Sequence, residues 1–237
     1  MKKGRPFAAF LVLLLCTLSA KAQGTFQNLN FEAATLSPST SALYVSAASA
    51  LPGWSAYLGT TLQTEIYQNG YTTGAQSIDI FGPNYQSVGP QSPQNQGIID
   101  GNYTVFLQAG FPDPQEENAS IEQNGTVPLG AQSLQFKAWD WLPSTTIFTV
   151  SFNGNILSPV VVGSGANYTL YGANISTFAG QNGELEFSSI FNASGPSWVE
   201  LDDITFSGNS VPEPTTLALI VMSGAALAAL RWRSKRA

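Results

Sequence analysis

Between residues 23 and 210, apolar side chains recur at every second position in short runs, and no run of ten or more residues holds a 3.6-residue period. A strand alternates its side chains between two faces, whereas a helix needs apolar residues three and four apart to bury one stripe. The pattern therefore points to β-structure. Ile78 and Ile80 share a face, as do Tyr103, Val105 and Leu107, then Leu134, Phe136 and Ala138, then Phe148, Val150 and Phe152. Leu185 and Phe187 make a further pair. Turn-forming residues separate the runs at Asp100-Gly101-Asn102, Asn153-Gly154 and Asn182-Gly183. Asn-Gly suits a two-residue hairpin because both residues tolerate positive φ. Residues 41–50 are the nearest approach to a helix, and residues 85–97 and 111–118 read as crossover loops rich in Pro, Gln, Ser or acids. Short strands at this spacing predict an all-β fold, an antiparallel jelly-roll β-sandwich, over residues 23–207.

The two ends differ in kind. Lys2, Lys3 and Arg5 precede an apolar run at residues 7–18, and the small residues Ala20 and Ala22 follow. That order predicts a signal peptide over residues 1–22, removed by signal peptidase before Gln23. Twelve residues at ~1.5 Å rise cover ~18 Å of a ~30 Å bilayer core, too little for an anchor. Leu15, not a small residue, precedes Cys16, which argues against lipidation. At the other end, residues 208–214 form a linker closing in Val211-Pro212-Glu213-Pro214, whose prolines resist helix. Residues 215–230 carry no charge and make ~24 Å of helix, a short transmembrane span. Residues 231–237 follow as a basic tail, with Arg231, Arg233, Lys235 and Arg236. Positive charge after a span stays cytoplasmic, so the domain lies outside, in agreement with the signal peptide.

Composition removes several activities. The 237 residues include no His and a single Cys, which lies in the signal segment. Ser-His and Cys-His catalytic pairs, imidazole metal sites and disulfides are excluded. No lysine sits in a phosphate-binding GxxxxGK[ST] loop. Between residues 23 and 210, Lys137 is the only base against fourteen of the fifteen acids, a net charge of −13. Such a surface repels phosphate backbones and excludes nucleic acid as a partner.

The tail, with Val211-Pro212-Glu213-Pro214, a short span and a basic end in that order, resembles the PEP-CTERM sorting signal of Gram-negative bacteria. The resemblance covers residues 211–237. It implies an inner membrane-anchored precursor, cut near the Pro-Glu-Pro by an exosortase and passed to the cell surface or the extracellular polysaccharide matrix.

The middle resembles carbohydrate-binding modules of the galactose-binding-like jelly-roll fold. The residues that carry this are Asn28-Leu29-Asn30-Phe31-Glu32 as an opening strand, Pro52-Gly53-Trp54, the stretches 100–107, 121–130 and 133–139, and a last strand at 199–206. In those modules a structural Ca²⁺ joins the first and last strands. Carried over, its ligands are Glu32 with Asp202 or Asp203. The last strand supplies a physical detail of its own. Val199 and Leu201 share one parity, and Ile204 and Phe206 the other. A β-bulge at Asp202-Asp203 would restore a single apolar face.

Three residues are candidates for ligand binding. Lys137, Trp139 and Trp141 share with Gln135 the parity opposite to Leu134, Phe136 and Ala138, so they face away from the core. Aromatic faces beside an amide and an ammonium make a saccharide platform. Trp54 and Tyr57 read as core or rim, and Trp198 as the edge of the final strand. Carboxylate pairs for glycoside hydrolysis could come from Glu65, Asp79, Glu122, Asp140, Glu184 and Glu186. None lies in a recognisable motif, so the chain reads as a non-enzyme. Six N-x-[ST] sequons, at Asn102, Asn118, Asn124, Asn167, Asn174 and Asn192, reflect the Asn/Thr bias. The expected function is non-catalytic polysaccharide binding after export. The alternatives are a structural matrix protein without a discrete site and, behind it, a glycan hydrolase.

Overall fold

A computed structural model describes residues 24–37, 43–70, 75–85, 97–110, 117–139, 147–191 and 197–211. The expected signal peptide and transmembrane helix lie outside them, with Pro212, Glu213, Pro214, Trp141, Asp140, Arg231, Arg233, Lys235 and Arg236. Among the described residues, no helix is long and apolar enough to cross a membrane.

The strands are β1 (Tyr44–Ser46), β2 (Ser55–Leu58), β3 (Thr61–Leu62), β4 (Glu65–Gln68), β5 (Ser77–Phe81), β6 (Thr104–Ala109), β7 (Ala119–Thr126), β8 (Ser133–Trp139), β9 (Ile147–Phe152), β10 (Asn155–Ile156), β11 (Val160–Ser164), β12 (Thr169–Asn174), β13 (Asn182–Ile190) and β14 (Ser197–Ser207). They form an eight-stranded sheet, β1-β4-β5-β6-β14-β8-β12-β11, and a six-stranded sheet, β10-β9-β13-β7-β2-β3. Among the described residues, every strand pairing is antiparallel except β4 with β5. From β6 to β14 the chain keeps switching sheets, which is jelly-roll connectivity. The all-β sandwich read from the alternating pattern is the fold. One helical turn, Ala47–Ala50, and a 3₁₀ turn, Ser176–Phe178, are the helical elements of the described residues.

The core lies between the sheets. Val105, Leu107, Leu134, Phe136, Ala138, Val199 and Leu201 from the larger sheet meet Ile121, Val150, Phe152, Leu185 and Phe187 from the smaller. Phe136 meets Phe187 edge-on, with centroids 5.3 Å apart. Burying each large side chain stabilises the fold by roughly 1.5–3 kcal/mol. The Asn153-Gly154 hairpin forms as read. Both residues have positive φ, 50° and 71°, and Phe152 pairs with Asn155.

Two expectations need correction. Asn28 to Glu32 is not a strand. Asn28 and Phe31 take φ of 48° and 57°, and Asn28 Oδ1 accepts a hydrogen bond from Ala33 N at 2.9 Å. This turn buries Leu29 and Phe31 completely and turns Glu32 outward. Asn182-Gly183 is not a turn but the start of β13, paired with Thr126 and Gly125. The 3₁₀ turn and Gly180, at φ 77°, precede that strand instead. Trp198, read as the edge of the final strand, is the second residue of β14 and is buried there, between β6 and β8.

Candidate carboxylate cleft and outer aromatic face

The expected bulge is present. Pairing of β14 with β8 shifts register between Asp202 and Thr205, and Asp203 takes φ 43°. The shift lets Leu201, Ile204 and Phe206 all reach the core. It buries Asp202 and leaves Asp203 half-buried beside it. Ile204 N donates to Leu29 O at 2.9 Å, so the bulge is tied to the N-terminal segment that carries Glu32.

Asn30, Glu32, Asp100, Gly101, Asp202 and Asp203 line one cleft of about 140 Å³. Glu32 Oε1 accepts from Asn102 N at 2.7 Å and Tyr103 N at 3.1 Å, and Oε2 accepts from Asn102 Nδ2 at 2.8 Å. Asp202 Oδ2 accepts from Thr104 Oγ1 at 2.8 Å and Asp100 N at 3.1 Å, and Oδ1 from Asp203 N at 2.7 Å. Gly101 has φ 59°, and a Cβ there would collide with the Glu32 carboxylate. Lys137 Nζ pairs with Asp100 and, at 3.1 Å, with Asp203. The ammonium also lies 5.1 Å from the Tyr168 ring centroid.

Burial pushes Asp202 up to about 7; its hydrogen-bond donors oppose that and the Asp100 charge adds to it. For Lys137, burial works against the charge, but hydrogen bonds to Asp100 and Asp203 outweigh it and raise the group. Glu32, Asp202 and Asp203, the residues read as calcium ligands, share this cleft. Asp100, read only as a turn residue, joins them. Among the described residues, no three His, Cys, Asp or Glu side chains stand grouped as a metal site. The donor set is nevertheless oxygen-rich, as Ca²⁺ requires.

The other face of the larger sheet begins where the cleft ends. Gln135, Lys137 and Trp139 lie opposite to the buried Leu134, Phe136 and Ala138, as the parity predicts. Trp139 is half-buried and packs on Trp198, with centroids 5.8 Å apart. The rings continue across the strands. Trp198 lies 6.2 Å from Phe106, Phe106 5.4 Å from Phe81, and Phe81 4.0 Å from Tyr85 in a stack. This cluster is separate from the sandwich core.

Strand register sets a second pattern on this face. Tyr44 pairs with Tyr67, Tyr67 with Asp79, Asp79 with Phe106, Phe106 with Glu200, and Glu200 with Trp139. Asp79 and Glu200 are fully buried there. Sequence reasoning placed Asp79 among loose acids and passed over Glu200. The available signal was parity, since Glu200 alternates with the core residues Val199 and Leu201.

The remaining hydrolase candidates do not join this row. Glu65 is exposed on β4. Glu122, Glu184 and Glu186 belong to the smaller sheet, where Glu122 pairs with Glu186. Burial, with the charges of Glu184 and Glu186, pushes Glu122 up to about 7. Ser151 Oγ donates to Glu186 Oε2 at 3.2 Å.

The chain leaves the sandwich after β14. Gln132 N donates to Ser207 O at 2.8 Å and Ser133 Oγ to Asn209 O at 2.7 Å, and Val211 packs over Gly172 of β12. Residues 210–236 match the PEP-CTERM protein-sorting motif. A PEP-CTERM motif implies an exported precursor that is processed by an exosortase, and here it begins at the last residues held against the folded body.

A comparison with curated proteins gives no match. Among solved structures, TmCBM61 in complex with beta-1,4-galactotriose shares 14% identity, covering 78% of this chain and 98% of that one, at a TM-score of 0.38. The enzymatically active domain of bacteriophage CBA120 tailspike protein 4 shares 12% identity, covering 66% of this chain and 19% of that one, at 0.34. The catalytic domain of a GH87 alpha-1,3-glucanase in complex with tetrasaccharides shares 11% identity, covering 68% of this chain and 29% of that one, at 0.28. All three are distant likenesses, and the fold stands on the chain's own strand pairing.

Proposed function

We propose that this is a non-catalytic, carbohydrate-binding protein of the cell surface or extracellular polysaccharide matrix, sorted there by its PEP-CTERM segment. The observation that carries the reading is the half-buried Trp139 beside Lys137 on the outer face of the larger sheet, where Trp139 packs at the margin of a buried aromatic cluster. Rings and a charged donor on one wall offer a sugar both an apolar contact and hydrogen bonds. Lys137, Trp139 and Trp141 are the proposed contacts. The test is a glycan array with the processed protein. Binding that falls in Trp139→Ala and Trp141→Ala supports the platform, and binding unchanged in both removes it.

Glu32, Asp202 and Asp203 would hold a structural Ca²⁺. When bound, the ion would neutralise the cleft and link the N-terminal segment to β14. These oxygens, with Asp100 and Asn30 beside them, are what support it. A melting temperature that rises with calcium and falls with chelator is expected, and an unchanged midpoint removes the ion. A matrix protein with no discrete ligand is the second reading, favoured by the −13 charge of residues 23–210. It predicts an array without hits.

A further inference from the structure

The chain leaves the sandwich at an end built from uncharged segments. The turn between β7 and β8 is held there by three backbone hydrogen bonds. Gln132 N donates to Ser207 O at 2.8 Å, Ile175 N to Gln132 O at 3.2 Å, and Gly180 N to Val127 O at 2.9 Å. No Asp, Glu, Lys or Arg occurs in residues 125–136, 153–183 or 204–211, which build this end and the β11–β12 edge beside it. The acids nearest in sequence, Asp203 and Glu184, lie four residues from Ser207 and from Gly180, ~13 Å of extended chain. The −13 charge of residues 23–210 is therefore segregated away from the exit.

Leu129 stands in that turn. At 86% exposed, it is the most open large apolar side chain among the described residues. A Cβ on Gly208 would lie 3.7 Å from Gly130 O, so the turn borders the outgoing chain three residues before Val211. Val211 itself is half-buried against Gly172. From Val211 to Thr215, where the apolar run of the tail begins, four Cα steps reach at most ~14 Å. The headgroup layer takes roughly 5–7 Å of that reach. A body tied this closely cannot stand clear of a bilayer, so one of its faces must meet the headgroups.

We propose that the uncharged end is a membrane seat: in the anchored precursor it rests on the bilayer surface, with Leu129 inserted at the headgroup–acyl boundary. This rests on the reading of residues 215–230 as a span, and it goes beyond the sugar-binding reading. Charge and apolarity both select a lipid surface as the partner. Anionic headgroups repel carboxylates over about a Debye length, ~8 Å at physiological salt. An acidic body can approach only by an end whose acids lie farther back. An apolar tip gains by leaving water, at the ~5–10 Å depth that interfacial elements reach. The same seating carries Trp139 away from the bilayer, because it closes β8 six residues from Ser133, ~20 Å along the strand. The proposed sugar contacts on that face stay in water.

The test places a fluorescent probe on the full chain carrying Cys16→Ser, at Gly130→Cys or at Glu65→Cys. Gly130 has open space where a Cβ would stand. Glu65 is exposed at the far end of the larger sheet, two residues beyond Tyr67, whose register runs through Asp79 and Phe106 to Glu200. The chain is reconstituted in vesicles of phosphatidylethanolamine and phosphatidylglycerol that carry nitroxide headgroups. Quenching at position 130 is expected to be at least about twofold that at position 65, and to fall to the level at 65 when Leu129→Glu is added. Flotation with the vesicles reads anchoring separately. A chain that floats and is quenched equally at both positions overturns the seat and leaves the anchor standing. Stronger quenching at 130 that survives Leu129→Glu overturns the insertion of Leu129 and the proposal with it. A chain that does not float overturns anchor and seat together. Should Leu129→Glu fail to fold, the comparison of positions 130 and 65 decides alone.

Discussion

Asp202 shows how one backbone irregularity fixes the chemistry of a side chain. The bulge buries its carboxyl and gives it three hydrogen-bond donors, yet burial outweighs them. A carboxyl raised in the folded state binds more protons folded than unfolded. Its stabilisation is complete below the unfolded value, near 3.8, and is lost as pH rises through about 7. In chelator-containing buffer, the melting temperature is expected to fall between about pH 4 and about pH 7, and Asp202→Asn to flatten that fall. Gly101 is the second residue whose identity the cleft dictates. Gly101→Ala places a methyl at positive φ and against Glu32. A loss of about 1–3 kcal/mol in denaturant melts is expected, and a neutral result would mean that Glu32 gives way. Neither effect could be read from residue type. Asp202 and Asp203 were legible as an irregularity, because the apolar parity slips there, but which of the two is buried depends on the pairing with β8.

At the scale of elements, parity carried most of the information. The runs at 77–81, 104–109, 133–139 and 147–152 became strands with the expected residues inward, because a sandwich buries one face of each strand. Asn153-Gly154 held its turn because that conformation is local. Asn182-Gly183 has the same dipeptide but sits on a strand, where pairing with Gly125 and Thr126 overrides the local preference. The opening segment failed as a strand for a related reason, since Asn28 closes its own turn. The smaller sheet adds a testable pair. Glu122 and Glu186 lie directly opposite each other, and like charges in register repel. Glu186→Gln removes one of the charges that raise Glu122. The variant is therefore expected to lose less stability than wild type as pH rises from about 5 to about 8, measured by thermal melting.

The whole molecule is a folded body joined with almost no spacer to a sorting segment. Ser133 Oγ still holds Asn209 O, and Val211 still packs on Gly172, where the PEP-CTERM match begins. Processing should then depend on the tetrapeptide itself. Glu213→Ala is expected to leave the full-length precursor in the membrane fraction, whereas Lys137→Ala should be processed normally. Release of Glu213→Ala at wild-type rate would separate sorting from the motif.

What the amino-acid order determined unaided was the sorting motif and the all-β class. Both are one-dimensional features, written in contiguous composition and a two-residue period, and they need no distant partner to be read. What only the tertiary structure decided was company. The outer-face row takes one residue from each of six strands that are far apart in sequence, and the carboxylate cleft gathers Glu32, Asp100, Asp202 and Asp203 across the fold. Register between strands is set by packing of both sheets at once, so no local pattern announces it.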